Sequence, residues 1–316
     1  MIDIRLLTFI TVAKTKSFTK AAEALNITQP AVSQHVKYLE EEYGGKLIKK
    51  YSKGFDLTEE GLILYKYSEE IELLYKALEM KLKNRASLIK TYNIGASMTI
   101  GGYVLPYILA KYKKIHENIN ILMQVNNTGE ILDKLTAGKL AFVLVEGTFD
   151  KNKFKFKKYK DDELILALSP QHKFSKQREV SFEDILSGNL ILREKGSGTR
   201  EVLEESLARL GHNIEDLNCY MEIGSISAIK SLIVSNLGYS IISRETIKNE
   251  LENGTIIEKK IHGVKILREF NFVYLYEDDF MNSFIKFCIS EIVSWNFNHS
   301  YWKLCVHLCE IYDTIV

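Results

Sequence analysis

Four residues at the front of one short helical run could do recognition chemistry: Gln29, Pro30, Ser33 and Gln34. Glutamine can bond adenine bidentately, serine can donate or accept, and proline can touch a thymine methyl. A helix that leads with these side chains can read base edges in a major groove. Thr28 is a good N-cap just before them, and Lys37 follows on the same helix. Lys46, Lys49, Lys50 and Lys53 cluster in the next segment, suited to phosphate oxygens. The competing reading is an ordinary surface helix followed by a solvated charge run.

A second set of candidates lies further along the chain. Gly95-Ala96-Ser97-Met98-Thr99-Ile100-Gly101-Gly102, Glu194 to Arg200 (with Ser197 and Thr199) and Gly224-Ser225-Ile226-Ser227 each lead into a helical run. Free N–H groups and the helix dipole at such places favour an anion. Serine and threonine also cap helices everywhere, so each loop is weak evidence alone. Glu146 ends a strand-like run, where it either selects a positive or hydrogen-donating part of a ligand or pairs with Lys195 or Arg200.

Catalytic and metal chemistry find little support. Cys305 and Cys309 share a helix face at i, i+4, with His299 nearby, but His307 points elsewhere, short of the four ligands a zinc site needs. There is no nucleophile elbow and no ordered Ser–His–Asp set. The Lys-Ser/Thr pair of a phosphate-binding loop is missing from Gly196-Ser197-Gly198-Thr199-Arg200. We therefore expect no enzyme, no metal and no cofactor.

The elements that must position these residues follow from periodicity. Leu6, Phe9, Ile10 and Ala13 predict a first helix, Thr19–Leu25 a second, and Asn26-Ile27 a tight turn. A third helix runs to about Tyr43, with Val32, Val36 and Leu39 inward and Gly44-Gly45 ending it. Leu47 to Thr58, with a Ser-Lys-Gly turn, predicts a small β-hairpin, so residues 1–58 read as a winged helix-turn-helix. In that setting the lysine cluster becomes a phosphate-contacting wing. His35 on the third helix could touch phosphate or be a capped surface histidine.

Leu64, Ile71 and Leu78 recur every seven residues, joined by Leu74, Tyr75 and Leu82. Residues 59–90 thus predict one long linker helix with a seam for a partner helix, hence a homodimer or homotetramer. From Thr91 strand-like and helical runs alternate, which predicts α/β units with largely parallel sheets. Strand-like runs are Tyr92–Gly95, Ile119–Val125, Ala141–Val145, Leu164–Leu168, Leu190–Leu192, Tyr220–Ile223, Tyr239–Ile242 and Phe270–Tyr276; helical ones are about Gly101–His116, Glu130–Ala137, Arg200–Leu210, Ser227–Ser235, Glu245–Leu251 and Met281–Trp295.

Bulk properties are compatible with these readings. The 316 residues carry a net charge of only +1, so DNA affinity has to come from a local patch. No run reaches the roughly 18–20 apolar residues of a membrane span, and no leader is visible, so the expected location is the cytoplasm. Three of the four cysteines fall in the last thirty residues, which is no secreted disulfide framework.

Residues 4–61 resemble the LysR-type transcriptional regulators. The resemblance rests on Phe9, Ser17-Phe18, Ala21-Ala22, Leu25, Thr28-Gln29-Pro30-Ala31-Val32-Ser33, Leu39-Glu40, Gly44, Leu47, Leu57-Thr58 and Gly61. Where that family usually has wing arginines, Lys50 and Lys53 stand here, keeping charge but losing the bidentate fork. The C-terminal part resembles the family's effector-binding region, which has the periplasmic-binding-protein fold. The resemblance implies a first lobe of residues 91–162 plus 268–295, a second of 163–267, an extension over 296–316, and a ligand between the lobes. The loops at Gly95–Gly101 and Gly196–Arg200, with Leu105-Pro106, look like the subgroup of carbon-fixation and sulfur-assimilation regulators. The resemblance implies a ligand-responsive regulator that binds double-stranded promoter DNA, with an anionic small-molecule effector, further copies of itself and RNA polymerase as partners. A solute-binding protein of a transport system would share the C-terminal fold, but would need a leader and no DNA module. An enzyme on a two-lobed scaffold is the remaining alternative.

Overall fold

The computed structural model describes residues 2–51, 54–85 and 89–291. Ser52, Lys53, the 296–316 extension, His299, Cys305, His307 and Cys309 lie outside the described residues. The chain divides into two compact units, Met1–Leu88 and Ile89–Val316.

In the first unit, α1 (Ile4–Thr15), α2 (Phe18–Leu25) and α3 (Gln29–Glu42) pack around Phe9, Val12, Ala21, Val32, Val36 and Leu39. Ala21 and Ala22 are small enough to bring α2 close to its neighbours. Asn26 adopts φ 54° at the end of α2, so the chain turns at once into α3. The hairpin β1 (Ile48–Tyr51) and β2 (Gly54–Leu57) pairs Ile48 with Leu57 and Tyr51 with Gly54. α4 (Glu59–Arg85) then begins against the hairpin, and a Cβ on Gly61 would stand 2.1 Å from the Leu47 carbonyl oxygen, so only glycine fits there. Ser17 caps α2 by accepting from the Lys20 N–H at 3.3 Å. Ser17→Ala is expected to cost the unit about 1 kcal/mol, read as a lower denaturation midpoint at unchanged slope.

The second unit is built on one eight-stranded sheet. Its elements are β3 (Lys90–Ser97), α5 (Met98–Tyr103), α6 (Leu105–Ile115), β4 (Ile119–Asn126), α7 (Thr128–Thr136), β5 (Phe142–Glu146), β6 (Lys155–Leu168), β7 (Glu179–Val180), α8 (Phe182–Ser187), β8 (Leu190–Leu192), α9 (Gly198–Arg209), β9 (Cys219–Glu222), α10 (Ile226–Val234), β10 (Ser240–Ser243), α11 (Lys248–Glu252), β11 (Ile257–Ile261), β12 (Ile266–Tyr274) and a helix α12 over 279–291. The order β4-β3-β5-β12-β6-β11-β7, with β10 also on β6, is carried by the long strands β6 and β12. These two run antiparallel from one lobe into the other.

The expected sheet is corrected on this point. Among the described residues, β3 with β4 and β5, β11 with β7, and β8 with β9 pair in parallel, with a parallel bridge from Leu190 of β8 to Tyr239, while β12 returns antiparallel between β5 and β6. The sheet is mixed because the connections between lobes are strands running back, not helical crossovers. Two predicted helices also divide. Residues 101–116 form α5 and α6, broken at Val104, with Pro106 in the first turn of α6. Residues 245–251 form a 3-10 turn and α11.

Both faces of the central strands are covered. Along β5, Phe142 and Leu144 join the core with Ile94, Tyr112, Phe272 and Phe284, while Val143 and Val145 face Ile131, Leu135 and Val273. Along β6, Leu164, Leu166 and Leu168 pack with Phe174, Leu203 and Tyr239, and Ile165 and Ala167 with Ile229, Ile233 and Ile242. The continuous apolar runs of these strands are the signature of burial on two sides.

Candidate functional site

The DNA-facing candidates come first. Thr28 caps α3 by accepting from the Ala31 N–H. Gln29, Pro30 and Gln34 are exposed at its start, while Ser33 is half-buried and accepts from Gln29 Nε2 at 3.0 Å. His35 turns inward to Thr8 Oγ1 at 2.9 Å, so it serves the packing of α1 on α3. Lys46 bonds Glu40 at 2.7 Å, which raises its pKa, and Lys37 pairs with Glu41 at 3.4 Å. On the hairpin, Lys50 lies over the Phe18 ring and Lys49 over Tyr51. The surface of α3 and the hairpin thus holds exposed amides beside cations.

The second unit joins three of the other candidates, Ser97, Glu146 and Thr199, into one buried group. Ser97 ends β3, and its hydroxyl bonds Glu146 Oε2 at the end of β5 rather than capping α5. Glu146 Oε1 stands 3.7 Å from Arg268 Nη1, with both side chains only 2% exposed. Arg268 Nη1 donates to Thr199 Oγ1 at 2.9 Å, in the first turn of α9. Its Nε donates to Asp162 Oδ2 at 2.7 Å, and Asp162 also accepts from Ser243 at 2.9 Å. Burial pushes the Asp162 carboxyl up, against the pull of Arg268 and Ser243.

Arg268 and Asp162 face each other across β12 and β6, where the chain passes between the lobes. The same group therefore touches lobe I through Glu146 and lobe II through Thr199. The lobes meet tightly beside it: a Cβ on Gly198 would stand 2.2 Å from the Glu146 carbonyl oxygen. Buried with no partner are Thr99 Oγ1 in α5, Ser197 Oγ just before α9 and, on β12, Arg268 Nη2 and Asn271 Oδ1. Unpaired buried polar atoms are costly, and each calls for an explanation.

Not every candidate joins the group. Ile100 packs into the first-lobe core and Met98 is half-buried. Ser225 is exposed and caps its own helix by accepting from the Ala228 N–H. The Glu146 side chain meets Ser97 and Arg268 in place of Lys195 or Arg200, and Arg200 pairs with Glu204 and Glu222. Arg268 and Asp162 were missed. A signal existed: Ile266, Arg268 and Phe270 alternate as the inward positions of β12, and Asp162 alternates with Leu164 and Leu166 on β6.

A cavity of about 570 Å³ opens elsewhere, between α5, α6 and α11, lined by Tyr103, Tyr107, Lys111, Lys160 and Lys230 among others. Its cations meet carboxylates, Lys160 with Glu245 and Lys111 with Glu291.

A winged helix-turn-helix joined to a two-lobed α/β unit with a polar interlobe site defines a DNA-binding regulator with a small-molecule-binding unit. Residues 5–62 match the bacterial regulatory helix-turn-helix proteins of the lysR family, and residues 85–291 match the LysR substrate binding domain. The chain belongs to the LysR family of transcription regulators. It is 32% identical over 268 residues to the HTH-type transcriptional regulator CysL of Bacillus subtilis (strain 168), covering 84% of this chain and 89% of that protein. It is 31% identical to a probable RuBisCO transcriptional regulator of Trieres chinensis, covering 81% and 85%. The fold of the second unit is similar to the regulatory domain of Synechocystis PCC6803 CcmR in complex with 2-PG, with a TM-score of 0.58, 19% identity, and 63% and 96% of the two chains covered. The resemblance to carbon-fixation and sulfur-assimilation regulators is thereby borne out. No helix among the described residues is long and apolar enough to cross a membrane.

Proposed function

We propose that the effector binds between the lobes, at Ser97, Thr99, Glu146, Ser197 and Thr199 with Arg268, and that its binding alters how the chain holds its promoter. The observation that carries this is the set of buried, unpartnered atoms on both lobes and the strand between them: Thr99 Oγ1, Ser197 Oγ and Arg268 Nη2. A ligand that supplied partners to all three would bind the closed arrangement in preference to any other and shift the population toward it. A thermal-shift screen of central metabolites tests the assignment, since a true effector stabilises by mass action. Thr99→Val should abolish the shift; stabilisation that survives it would place the site elsewhere.

On the DNA side, Gln29, Pro30, Ser33 and Gln34 read bases, and Thr28, Lys37, Lys46, Lys49, Lys50 and Lys53 contact phosphates. Gln29 must exchange its bond to Ser33 for a base edge on docking. Lys49→Ala or Lys50→Ala should weaken binding equally on all sequences and reduce the salt slope by about one. A loss confined to one sequence would contradict the phosphate role.

Two such modules reading two half-sites require a dimer. In α4, Ile71, Leu74, Leu78 and Leu82 are exposed, Leu74 at 60%, although they form one apolar stripe. A second copy's α4 is the natural cover for this seam, giving a homodimer or a homotetramer built from it. Contact with RNA polymerase belongs to the same reading, as does a place in the cytoplasm.

A further inference from the structure

We propose that the effector is a small α-amino acid, a ligand with a protonated amine beside a carboxylate. The inference rests on the assignment of the site between the lobes. It starts from the charges in that site. Two carboxylates, Glu146 and Asp162, share the single guanidinium of Arg268. Asp162 is well served, with Arg268 Nε at 2.7 Å and Ser243 at 2.9 Å. Glu146 is held less closely: its Oε1 lies 3.7 Å from the guanidinium, beyond hydrogen-bond range, and Ser97 donates to its Oε2. Arg268 gives its short bond to Asp162 at 2.7 Å and stands 3.7 Å from Glu146 Oε1, so a ligand cation could approach that oxygen more closely than the guanidinium does.

A purely anionic ligand would add repulsion against that carboxylate. An ammonium group can donate directly to Glu146 Oε1, which the guanidinium does not reach within hydrogen-bond range. The neighbouring unpartnered groups fit the other end of such a molecule. Arg268 Nη2 is a donor without an acceptor, and the hydroxyls of Thr99 and Ser197 can both donate. Neither Ser97 nor Ser197 spends its side chain on capping its own helix. A ligand carboxylate can accept from the guanidinium and these hydroxyls while its α-ammonium meets Glu146. The geometry also unites two indications that pull apart at the level of sequence, an anion site at helix starts and an acid at the end of β5.

The test measures thermal stabilisation of the full chain by each proteinogenic amino acid, by the 2-hydroxy acid corresponding to each one that stabilises (lactate for alanine, glycerate for serine), and by 2-phosphoglycolate. At least one amino acid should stabilise, with its hydroxy-acid counterpart at least about tenfold weaker. Glu146→Gln should erase that preference for the amine, and Ser197→Ala, which only removes a hydroxyl, should weaken amino-acid binding in a chain that still folds. Equal or tighter binding of that hydroxy acid or of 2-phosphoglycolate would overturn the amino-acid assignment; if Thr99→Val abolished that binding, the site itself would stand. Stabilisation by an amino acid that survives Glu146→Gln, Ser197→Ala and Thr99→Val alike would overturn both. No stabilisation by any amino acid would overturn the ligand class.

Discussion

Replacing Arg268 by methionine is expected to destabilise the second unit by about 3–5 kcal/mol, a large share of the roughly 5–15 kcal/mol that holds a domain folded. The side chain is buried, and its removal strands two carboxylates. Asp162 loses its 2.7 Å partner, and Glu146 loses its nearest cation. Thr199 Oγ1 loses its donor as well. Methionine replaces the aliphatic stem, so packing is largely kept and the loss reports charge. The double variant Arg268→Met with Asp162→Asn should recover part of the loss, because a neutral amide is cheaper to bury than an orphaned carboxylate. Denaturation of the two variants and the parent checks this. An Arg268→Met chain as stable as the parent would show that the network is not what holds β6, β12 and α9 together.

The second large effect is expected at Gly198. A Cβ there would meet the Glu146 carbonyl oxygen at 2.2 Å and Thr128 Oγ1 at 2.8 Å. The first of these is backbone, which cannot turn aside as a flexible side chain would. Gly198→Ala must therefore push α9 away from the end of β5, parting the lobes where they touch. The expected cost is about 1–3 kcal/mol, together with loss of ligand-induced stabilisation. Gly102→Ala is the control: a Cβ there meets nothing within 4 Å, and the change should stay within about 0.5 kcal/mol. If Gly198→Ala keeps full stability and full ligand response, the close approach of the lobes is not part of the responsive state.

Much of this architecture was legible in the residues, for local reasons. The helices of the first unit announce themselves by periodicity, a capping serine or threonine and an asparagine turn, all features that act within a few residues. The hairpin was readable because two short apolar segments flank a turn. The apolar stripe of α4 could be counted off in sevens. Strands covered on both faces showed as unbroken apolar runs. What escaped depended on distant partners. Arg268 reads as a surface residue before a strand until Asp162, 106 positions earlier, is placed beside it. Its inward register between Ile266 and Phe270 was the available clue. The antiparallel return of β12 was hidden for a similar reason, since pairing order is decided by strands far apart in the chain. A helix cap and a ligand contact use the same residue type, and the fold shows that the Ser225 hydroxyl caps its own helix at Ala228. His35 likewise bonds Thr8, a partner 27 positions away that sequence alone does not place beside it.

The most direct test of the central claim is the affinity of the full chain for a duplex taken from the region upstream of its own coding sequence, set against a scrambled duplex over a range of salt. A LysR-family regulator reading bases through α3 and phosphates through the hairpin should bind the upstream duplex at sub-micromolar concentration, with affinity falling steeply as salt rises. Gln34→Ala should narrow the gap between the two duplexes. Equal binding of both duplexes at every salt concentration, or none to either, would contradict the account.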